Sequence, residues 1–521
     1  MKISSAILIT ASFILVAVLY FVAPMGPRWT SALLGTALFW PDAVLNAAIL
    51  EWGYRSLWSP TLAVFDWPAN FPLTNGLANT EHLLGWQVLY SPLRWAGVGG
   101  TAAYNLLLLT SFVVSGLGTA LLATRLGANT AGAWLAGFLF AFVPFHVNHM
   151  VHLQTMSIAW SPFAVLFLDR FLARPRAADA AGLAVSFILS ALSGMYFAVL
   201  LPIILITYVA LAYACRRYRF AWRAVGGLVA TSLLSVLALA PIILPYVRFA
   251  RANGLEHSRA TLATFSVTLS DLVRIPDWVR VWSGTPLADS ANFAAAFPGL
   301  VTLLLVGCGI VLSSGPRESR NHRTLLGALC LAAALLALGP VLQVDQGRRV
   351  RIAGTSVPMP GIVFTPISAI RVPMRIMLYT YLFGTVLGGL GATALADKVP
   401  APTRRMLIPA LLIAAAVEVW PQPWVAARSI ELPPPLALSD AYPFLAAEGD
   451  RGAAVELPGA DGNGYRTPVM ARYTYGSAGH LRRIVAYNGS VRLPAVDRLQ
   501  DAAGRLPDER ARATLVAAGV T

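Results

Sequence analysis

Acidic side chains in the first hundred residues are the strongest candidates for chemistry. Asp42 follows Pro41 at the start of a predicted helix, and Glu81 precedes His82 at the start of a second apolar stretch. A carboxylate at a membrane surface can act as a general base on a hydroxyl group, or can share a divalent cation with a phosphate. The same residues also suit structural roles, with Asp42 as a helix cap and Glu81 as a first-turn charge. The local pattern leaves both interpretations open.

Histidines recur at every third residue after the third apolar run of the chain. On a helix, His146, His149 and His152 would spread over roughly 120° of one face, with Gln154 at its edge. Helical zinc ligands are usually four residues apart, so His149 and His152, together with Asp42, are only candidate ligands for a divalent metal ion. The alternatives are that these side chains line a substrate pocket or pack beneath a loop.

Two groups of arginines lie at predicted membrane boundaries. Arg248 begins the first group, which continues through Arg251 to Arg259, and the second group is Arg371 with Arg375. A guanidinium group binds phosphate through two parallel hydrogen bonds, so the phosphate of a lipid head group is a natural partner. Alternatively, these side chains extend to the membrane surface or pair with carboxylates of the loops.

Long apolar runs must position these candidate residues. Of the 521 residues, 57% are hydrophobic and only 12% are charged, which is about half the charged fraction of ordinary soluble proteins. A membrane-spanning helix needs about 20 apolar residues. The sequence therefore predicts an all-α polytopic membrane protein with about eleven transmembrane helices. The predicted runs are 4–24, 103–124, 130–147, 157–173, 178–194, 197–214, 224–245, 293–314, 325–344, 375–396 and 406–421.

Basic residues between the runs predict the orientation of the chain. The formal net charge is +15, but it lies in short clusters and not in a basic domain, which argues against nucleic acid as a partner. The positive-inside rule places the clusters around Arg125, Arg174 and Arg217 in the cytoplasm. The N-terminus is then cytoplasmic and the C-terminus is external. Two long loops, at 25–102 and 246–292, are also external.

The chain divides into a transmembrane domain at 1–421 and a polar tail at 422–521. The tail is predicted to be a small external α+β domain. Its predicted strands are 452–458 and 482–488, and its predicted helices are 441–447, 494–503 and 509–518. In the first loop, the broad apolar face of residues 40–52 and the nearby tryptophans predict a helix that lies on the membrane surface.

Several motifs are spread along the chain. They are Pro41-Asp42-Ala-Val-Leu-Asn46 with Glu51-Trp52, Asn79-Thr-Glu-His-Leu-Leu-Gly85, Ala103-Tyr-Asn-Leu-Leu-Leu108, Phe140-Ala-Phe-Val-Pro144, His149-Met-Val-His-Leu-Gln154, Trp160-Ser-Pro162, Arg371-Val-Pro-Met-Arg375, Glu456-Leu-Pro458 and Gly489 to Pro494. In these motifs the sequence resembles a poorly characterised bacterial group of polytopic proteins allied to the GT-C superfamily. That superfamily comprises membrane glycosyltransferases that use polyprenyl-phosphate sugars.

The resemblance implies roles for three of these residues. Asp42 would be the base, or the metal-associated carboxylate, that activates the acceptor hydroxyl, while Arg371 and Arg375 would hold the donor phosphate. The chain has a lone Asp42 instead of an adjacent acidic pair, and its second long loop has no DxD motif, so metal dependence is left open. Similar proteins tend to continue into a further strand after Thr521, so the external domain is expected to be truncated.

The expected function is transfer of a sugar from a polyprenyl-phosphate donor to an envelope glycan, lipid or protein on the outer face of the bacterial cytoplasmic membrane. A transporter or flippase for lipid-linked glycans and a non-catalytic envelope assembly subunit are the alternatives. The cofactor is undetermined, with a divalent metal ion as the candidate. The residues expected to bind substrate are Glu81, His82, His149, His152, Gln154, Arg248, Arg371 and Arg375.

Overall fold

Helices dominate the computed structural model of the protein. It describes residues 3–254, 256–290, 294–312, 317–367, 370–449, 452–458, 468–486 and 493–521. The helices of the first part are α1 (Ile3–Ala17), α2 (Ala23–Met25), α3 (Thr36–Ser56), α4 (Gln87–Trp95), α5 (Gly100–Arg125), α6 (Thr130–Ala141), α7 (Pro144–Asn148), α8 (Leu153–Met156), α9 (Ser161–Ala173), α10 (Ala177–Ser193) and α11 (Met195–Ala214).

The second part of the chain continues in the same way. Its helices are α12 (Trp222–Asn253), α13 (Arg259–Thr264), α14 (Leu300–Val311), α15 (Arg317–Ala337), α16 (Met377–Lys398), α17 (Ala401–Glu418), α18 (Trp424–Ala427), α19 (Ala441–Glu448), α20 (Pro468–His480), α21 (Pro494–Ala503) and α22 (Glu509–Ala517). Single 3₁₀ turns connect several helices, and the one at Pro373–Ile376 leads into α16.

The described strands are only two or three residues long and form four separate pairs. They are β1 (Ala32–Leu33), β2 (Ile275–Pro276), β3 (Ala288–Asp289), β4 (Gln343–Asp345), β5 (Arg348–Arg349), β6 (Arg351–Ile352), β7 (Thr355–Ser356) and β8 (Ile430–Glu431). β2 and β3 are parallel, whereas β1 with β8, β4 with β5 and β6 with β7 are antiparallel.

Each of the predicted apolar runs overlaps a helix, which confirms the prediction of a polytopic helical membrane protein. The number eleven stays a prediction, because seven of the described segments are long and apolar enough to cross a bilayer. These are Ile3–Thr30, Gly100–Arg125, Thr130–Asn148, Leu153–Ala173, Met195–Ala214, Trp222–Asn253 and Pro373–Lys398. Shorter apolar helices are Ala177–Ser193, Leu300–Val311 and Asn321–Ala337.

The helix that carries Asp42 is enclosed by protein, so the prediction that it lies on the membrane surface was wrong. α3 packs against α20, α5 and α18, and Leu50 and Trp52 are fully buried. The indole Nε1 of Trp52 donates a hydrogen bond to the carbonyl of Val64 at 2.7 Å. A broad apolar face can be covered by other helices as well as by lipid, and here the cover includes a helix more than 400 residues away in sequence.

The polar tail packs directly on the first long loop. The Ile484 N–H donates to the carbonyl of Pro68 at 2.9 Å, and the Asn70 N–H donates to the carbonyl of Ala486 at 3.0 Å. The hydroxyl of Thr101 at the start of α5 donates to the carbonyl of Leu432 at 2.8 Å. These bonds tie the tail to the same end of the bundle as α3.

Helices of the tail match their predicted positions better than its strands. The three predicted helices correspond to α19, α21 and α22, whereas α20 was not predicted. In place of the two predicted strands, the structure has isolated parallel bridges from Ala453 to Val520 and from Ala454 to Ile484. Residues 487–488 of the second predicted strand lie outside the described residues.

Glycines allow α6 and α16 to approach each other closely near the start of α6. A Cβ atom at Gly389 would lie 2.5 Å from the backbone oxygen of Gly132 on α6. The start of α6 is fixed nearby, since the Asn129 side chain accepts a hydrogen bond from the Gly132 N–H at 2.9 Å. The contact is therefore between backbones and has no flexible side chain that could move aside.

We expect the substitution Gly389→Ala to destabilise the protein by about 1–3 kcal/mol, because the added methyl group overlaps the backbone of α6. The matched control is Gly327→Ala on α15, where a Cβ atom would have no neighbour within 4 Å. Alanine has a higher helix propensity than glycine, so Gly327→Ala should leave the stability of the protein unchanged or raise it slightly. Thermal unfolding of the two purified variants in detergent measures the difference. Equal midpoints would show that the helices are not in close contact at Gly389.

Candidate functional site

Asp42 lies at the effective beginning of α3. Phe39 interrupts the helix with an extended backbone (φ −159°, ψ 89°), and Pro41 lies in the first turn after this break. Proline suits the first turn because its missing N–H would have no partner there. The N-terminal end of a helix favours negative charge, so the carboxylate of Asp42 is well placed electrostatically. It is also almost completely buried.

Three of the predicted site residues form a continuous line of contacts. The Nε2 atom of His152 lies 2.8 Å from the Oδ2 atom of Asp42, and the Nδ1 atoms of His152 and His149 are 3.4 Å apart. All three side chains are buried. The structure therefore brings Asp42 of the first loop together with two histidines that follow it by more than one hundred residues.

The histidines do not share one helical face, because α7 ends at Asn148 and α8 begins at Leu153. His149 and His152 occupy the bend between these short helices. His146 lies on α7 and its Nδ1 atom bonds to the carbonyl oxygen of Ala141 at 3.0 Å. The predicted helical stripe of three histidines is therefore absent from these described residues, although His149 and His152 do contact each other.

Amides hold the bend and the first loop in place. Asn46, one turn after Asp42, donates its Nδ2 hydrogen to the carbonyl of Val151 at 2.9 Å. Asn105 on α5 accepts from the Leu34 N–H at 2.8 Å and donates to the carbonyl of Ala32 at 2.8 Å. Both asparagines lie within motifs quoted from the sequence, and their contacts show that they position the site.

The segment between α13 and α14 also reaches the histidine bend. The Oδ1 atom of Asn148 accepts a hydrogen bond from the Nε1 atom of Trp278 at 2.9 Å, and a backbone group of Ala294 hydrogen-bonds to His149. Trp278 itself is buried. Nothing in the sequence predicted this connection, since four predicted apolar runs separate Asn148 from Trp278.

Arg375 is a buried cation within electrostatic range of His149. Its guanidinium carbon is 4.1 Å from the centre of the Tyr196 ring, and the residue is only 9% exposed. A cation this close to a desolvated aromatic ring is stabilised by the negative face of the ring. Burial raises the pKa of Glu81 and lowers that of His149; the charge of Arg375 opposes the first shift and adds to the second. Glu81 and His149 are therefore both within electrostatic range of Arg375.

Glu81 connects this cation to the start of α11. Its Oε2 atom accepts a hydrogen bond from the N–H of Met195 at 2.6 Å. Burial raises the pKa of the Glu81 carboxyl, while Arg375 and the Met195 N–H oppose that shift. A carboxyl with a raised pKa in a buried polar cluster is a candidate for proton transfer as well as for substrate binding.

His149 is a neutral imidazole at physiological pH. Burial lowers its pKa well below the ordinary value, and the neighbouring His152 and Arg375 lower it further. A neutral imidazole keeps one nitrogen as a donor and the other as an acceptor. It can therefore link the Asp42–His152 pair to the Arg375 side of the cluster without adding a positive charge.

His82 and Gln154 lie close in sequence to residues of the buried polar cluster, which consists of Asp42, His152, His149, Arg375 and Glu81. His82 packs edge to face on Tyr246, with 5.8 Å between ring centres, and burial lowers its pKa to about 3. Neither ring nitrogen has a hydrogen-bond partner among the described residues. The Oε1 atom of Gln154 is likewise buried without a partner there, and its backbone oxygen closely approaches Gly194. Both side chains therefore offer polar atoms that a ligand could satisfy.

Two of the predicted phosphate-binding arginines point elsewhere. The guanidinium carbon of Arg371 is 5.1 Å from the centre of the Phe265 ring. Burial lowers the pKa of His257, and the charge of Arg371 lowers it further. Arg248 is exposed on α12, and in the described part of the chain no contact joins it to Arg375 or Asp42. Of the three arginines named from the sequence, Arg375 is the one that the structure brings to the cluster.

The side chains predicted as metal ligands bond to one another. His152 directs Nε2 toward Asp42 and Nδ1 toward His149, so both of its ring nitrogens face protein groups. Among the residues that the structure describes, no group of three or more His, Cys, Asp or Glu side chains is arranged to hold a metal ion. These three residues in this arrangement therefore do not fit a metal, and metal dependence stays a prediction.

A second buried carboxylate on α3 supports the site. Glu51 lies 3.3 Å from the Nε atom of Arg94 and 3.4 Å from that of Arg55, and it accepts a hydrogen bond from Tyr90 at 3.0 Å. Arg55 also donates to the carbonyl of Gly479 on α20 at 3.1 Å. This cluster fixes α3 to α4 and to the tail, so Glu51 has a structural explanation.

A family model matches residues 89–420, which is more than half of the chain, and its description is "Domain of unknown function (DUF6311)". The chain belongs to this family. The matched region contains the histidine bend, Arg375 and most of the bundle, whereas Asp42 and Glu81 precede it. No curated protein matches the DUF6311 chain.

Solved structures show that the DUF6311 chain has the GT-C fold. The arabinofuranosyltransferase AftD from Mycobacteria superposes with a TM-score of 0.57 at 18% identity, covering 100% of this chain and 35% of AftD. The chain thus spans about a third of the length of AftD. The ArnT structure from Cupriavidus metallidurans gives a TM-score of 0.46 at 12% identity, covering 91% of this chain and 84% of ArnT. TM-scores below 0.5 do not establish a shared fold, so AftD carries this conclusion.

We expect His82→Phe to keep or slightly raise the thermal stability of the protein. The phenyl ring retains the packing on Tyr246 and removes polar atoms that are buried without partners. The matched substitution His146→Phe should lower stability by about 1–3 kcal/mol, since it leaves the buried carbonyl of Ala141 without its ring partner. Unfolding midpoints in detergent test both variants. A large loss in His82→Phe would mean that the His82 ring has a polar partner in the folded protein.

Proposed function

We propose that this protein is a membrane glycosyltransferase that moves a sugar from a polyprenyl-phosphate donor to an envelope glycan, lipid or protein. The reaction would take place on the outer face of the bacterial cytoplasmic membrane. The observation that carries the proposal is the buried line of contacts from Asp42 through His152 and His149 toward Arg375. It combines a carboxylate that can accept a proton with a cation that can receive a phosphate. The GT-C fold supports the proposal.

The proposed reaction is a single displacement at the anomeric carbon of the donor sugar. Asp42 accepts the proton of the acceptor hydroxyl while that oxygen attacks the anomeric carbon. The bond between this carbon and the donor phosphate oxygen breaks, and the polyprenyl phosphate leaves with the electron pair. General base assistance of this kind contributes about 10²–10⁴-fold to a rate.

Arg375 is the group proposed to hold the leaving phosphate. Negative charge grows on the phosphate as the bond breaks, and a buried, positioned guanidinium stabilises that charge more than water does. Tyr196 holds the guanidinium from one side, at 4.1 Å from the ring centre. The acidic Glu81 lies within electrostatic range and restrains the cation when no phosphate is bound.

His152 and His149 are proposed to position the base. Contact between the His152 Nε2 atom and the Asp42 Oδ2 atom at 2.8 Å fixes the orientation of the carboxylate. His149 in turn supports the His152 ring and stays neutral beside Arg375. A second positive charge there would repel the guanidinium and weaken its hold on a phosphate.

We expect Asp42→Asn to reduce sugar transfer by about 10²-fold or more while the protein is made at its normal level, because the amide cannot accept the proton. The matched control is Asp66→Asn on the same loop, where the carboxylate is exposed and accepts a hydrogen bond from the Asn75 N–H. The control should transfer sugar at the wild-type rate. The measurement is the amount of a defined envelope glycan, together with the lipid-linked sugar that precedes it.

The outcomes distinguish three functions. Loss of the glycan with accumulation of lipid-linked sugar on the outer face supports transfer. Accumulation of the donor on the cytoplasmic face points to a flippase. An unchanged glycan in the Asp42→Asn strain excludes Asp42 as the catalytic base and favours a non-catalytic assembly role.

A further inference from the structure

A polar cavity of about 510 Å³ lies at the far end of the helix bundle from Asp42. α5 shows the separation: its Tyr104 is within electrostatic range of Asp42, and its Arg125 lines the cavity. Tyr104 and Arg125 are 21 positions apart on this helix, a rise of about 30 Å, which is the thickness of a hydrocarbon core. The volume is within the range of ordinary small-ligand sites.

Guanidinium groups dominate the lining of this cavity. They belong to Arg125, Arg170, Arg174, Arg176 and Arg217. Two buried carboxylates compensate part of the charge. Asp169 is 2.8 Å from the Nε atom of Arg125 and 2.7 Å from the Nη2 atom of Arg217, and Asp179 is 2.7 Å from the Nε atom of Arg170.

The remaining positive charge has no counterpart in the described part of the chain. Arg174 and Arg176 are exposed at the cavity, and no carboxylate there forms an ion pair with either. The five arginines carry five positive charges, and Asp169 and Asp179 carry two negative charges, which leaves a formal charge of +3. Like charges held this close repel one another, and an anion in the cavity would relieve that repulsion.

Aromatic side chains indicate that the cavity lies at the depth of lipid head groups. Phe220 and Trp222 lie within five residues of Arg217 in the sequence, and they are 59% and 78% exposed. Their rings contact each other edge to face, with 4.9 Å between centres. Exposed aromatic residues at the ends of membrane-spanning helices mark the interface between hydrocarbon and water. A lipid phosphate can therefore approach the cavity from the side, and a soluble phosphate can approach it from water.

We propose that this cavity binds the phosphate group of an anionic ligand, with Arg174 and Arg176 as the residues that contact it. Arg170 and Arg217, which the buried carboxylates already hold in position, form the base of the site. Planar guanidinium groups match the oxygens of a phosphate, and several of them around one cavity provide more bonds than a single exposed arginine. This site is independent of sugar transfer at Asp42.

The test uses the purified full-length protein in detergent and isothermal titration calorimetry at constant ionic strength. The probes are dihexanoyl phosphatidic acid, dihexanoyl phosphatidylcholine and inorganic phosphate. The variant is Arg174→Gln with Arg176→Gln, two exposed positions whose change should not disturb folding. The matched control is Arg219→Gln with Arg223→Gln, which removes the same charge from exposed arginines of the next connection that do not line the cavity.

We expect phosphatidic acid to bind the wild-type protein, and the Arg174/Arg176 variant to bind it at least about tenfold more weakly. The control variant should bind it within about twofold of wild type. Inorganic phosphate that binds as tightly as phosphatidic acid would identify a soluble phosphate compound as the ligand, whereas binding of the lipid alone would identify a head group. Equal affinity of the two double variants, or no binding to the wild-type protein, would overturn the proposal.

Discussion

The burial of the Asp42 carboxylate against His152 is the interaction on which the site depends. A charged group that is removed from water must find a partner, because an unpaired buried charge costs several kcal/mol. The imidazole of His152 meets this need at 2.8 Å, and it does so only when the bend between α7 and α8 lies against the start of α3. The same requirement explains why Asn46 and Asn105 are bonded to backbone groups around this point.

Similar pairing rules extend outward from Asp42. Glu81 is buried beside the first N–H of α11 and within range of Arg375, and Glu51 is buried between two arginines. Each carboxylate joins segments that are far apart in sequence. The buried carboxylates therefore hold the loops against the end of the bundle, and the apolar helices form the bundle itself. The tail helix α20 also lies against the Glu51 group, where Gly479 accepts a hydrogen bond from Arg55.

The sequence predicted the helical body, and it named several residues that the structure brings together in the candidate site. Apolar runs are local signals, so their positions agree with helices, and Pro41 correctly marked the start of the helix that carries Asp42. The burial of α3 could not be predicted from the sequence. It depends on packing against α20, and the residue pattern of α20 did not predict a helix. Tertiary contacts also decided which arginines join the cluster: Arg371 and Arg375 are four residues apart, yet one contacts Phe265 and the other Tyr196. The arginine cavity could not be predicted either. Its arginines come from separate predicted cytoplasmic loops, and only the tertiary structure brings them together.

A structure of the protein with a bound polyprenyl phosphate would show most directly whether Asp42 and Arg375 belong to one donor site. Cryo-electron microscopy of the full chain in lipid nanodiscs with farnesyl phosphate would provide it. We expect the phosphate oxygens to lie about 3 Å from the guanidinium nitrogens of Arg375, with the phosphate on the side of that residue facing His149. A phosphate bound away from Arg375, with the Asp42–His152 contact unchanged and enclosed, would contradict it.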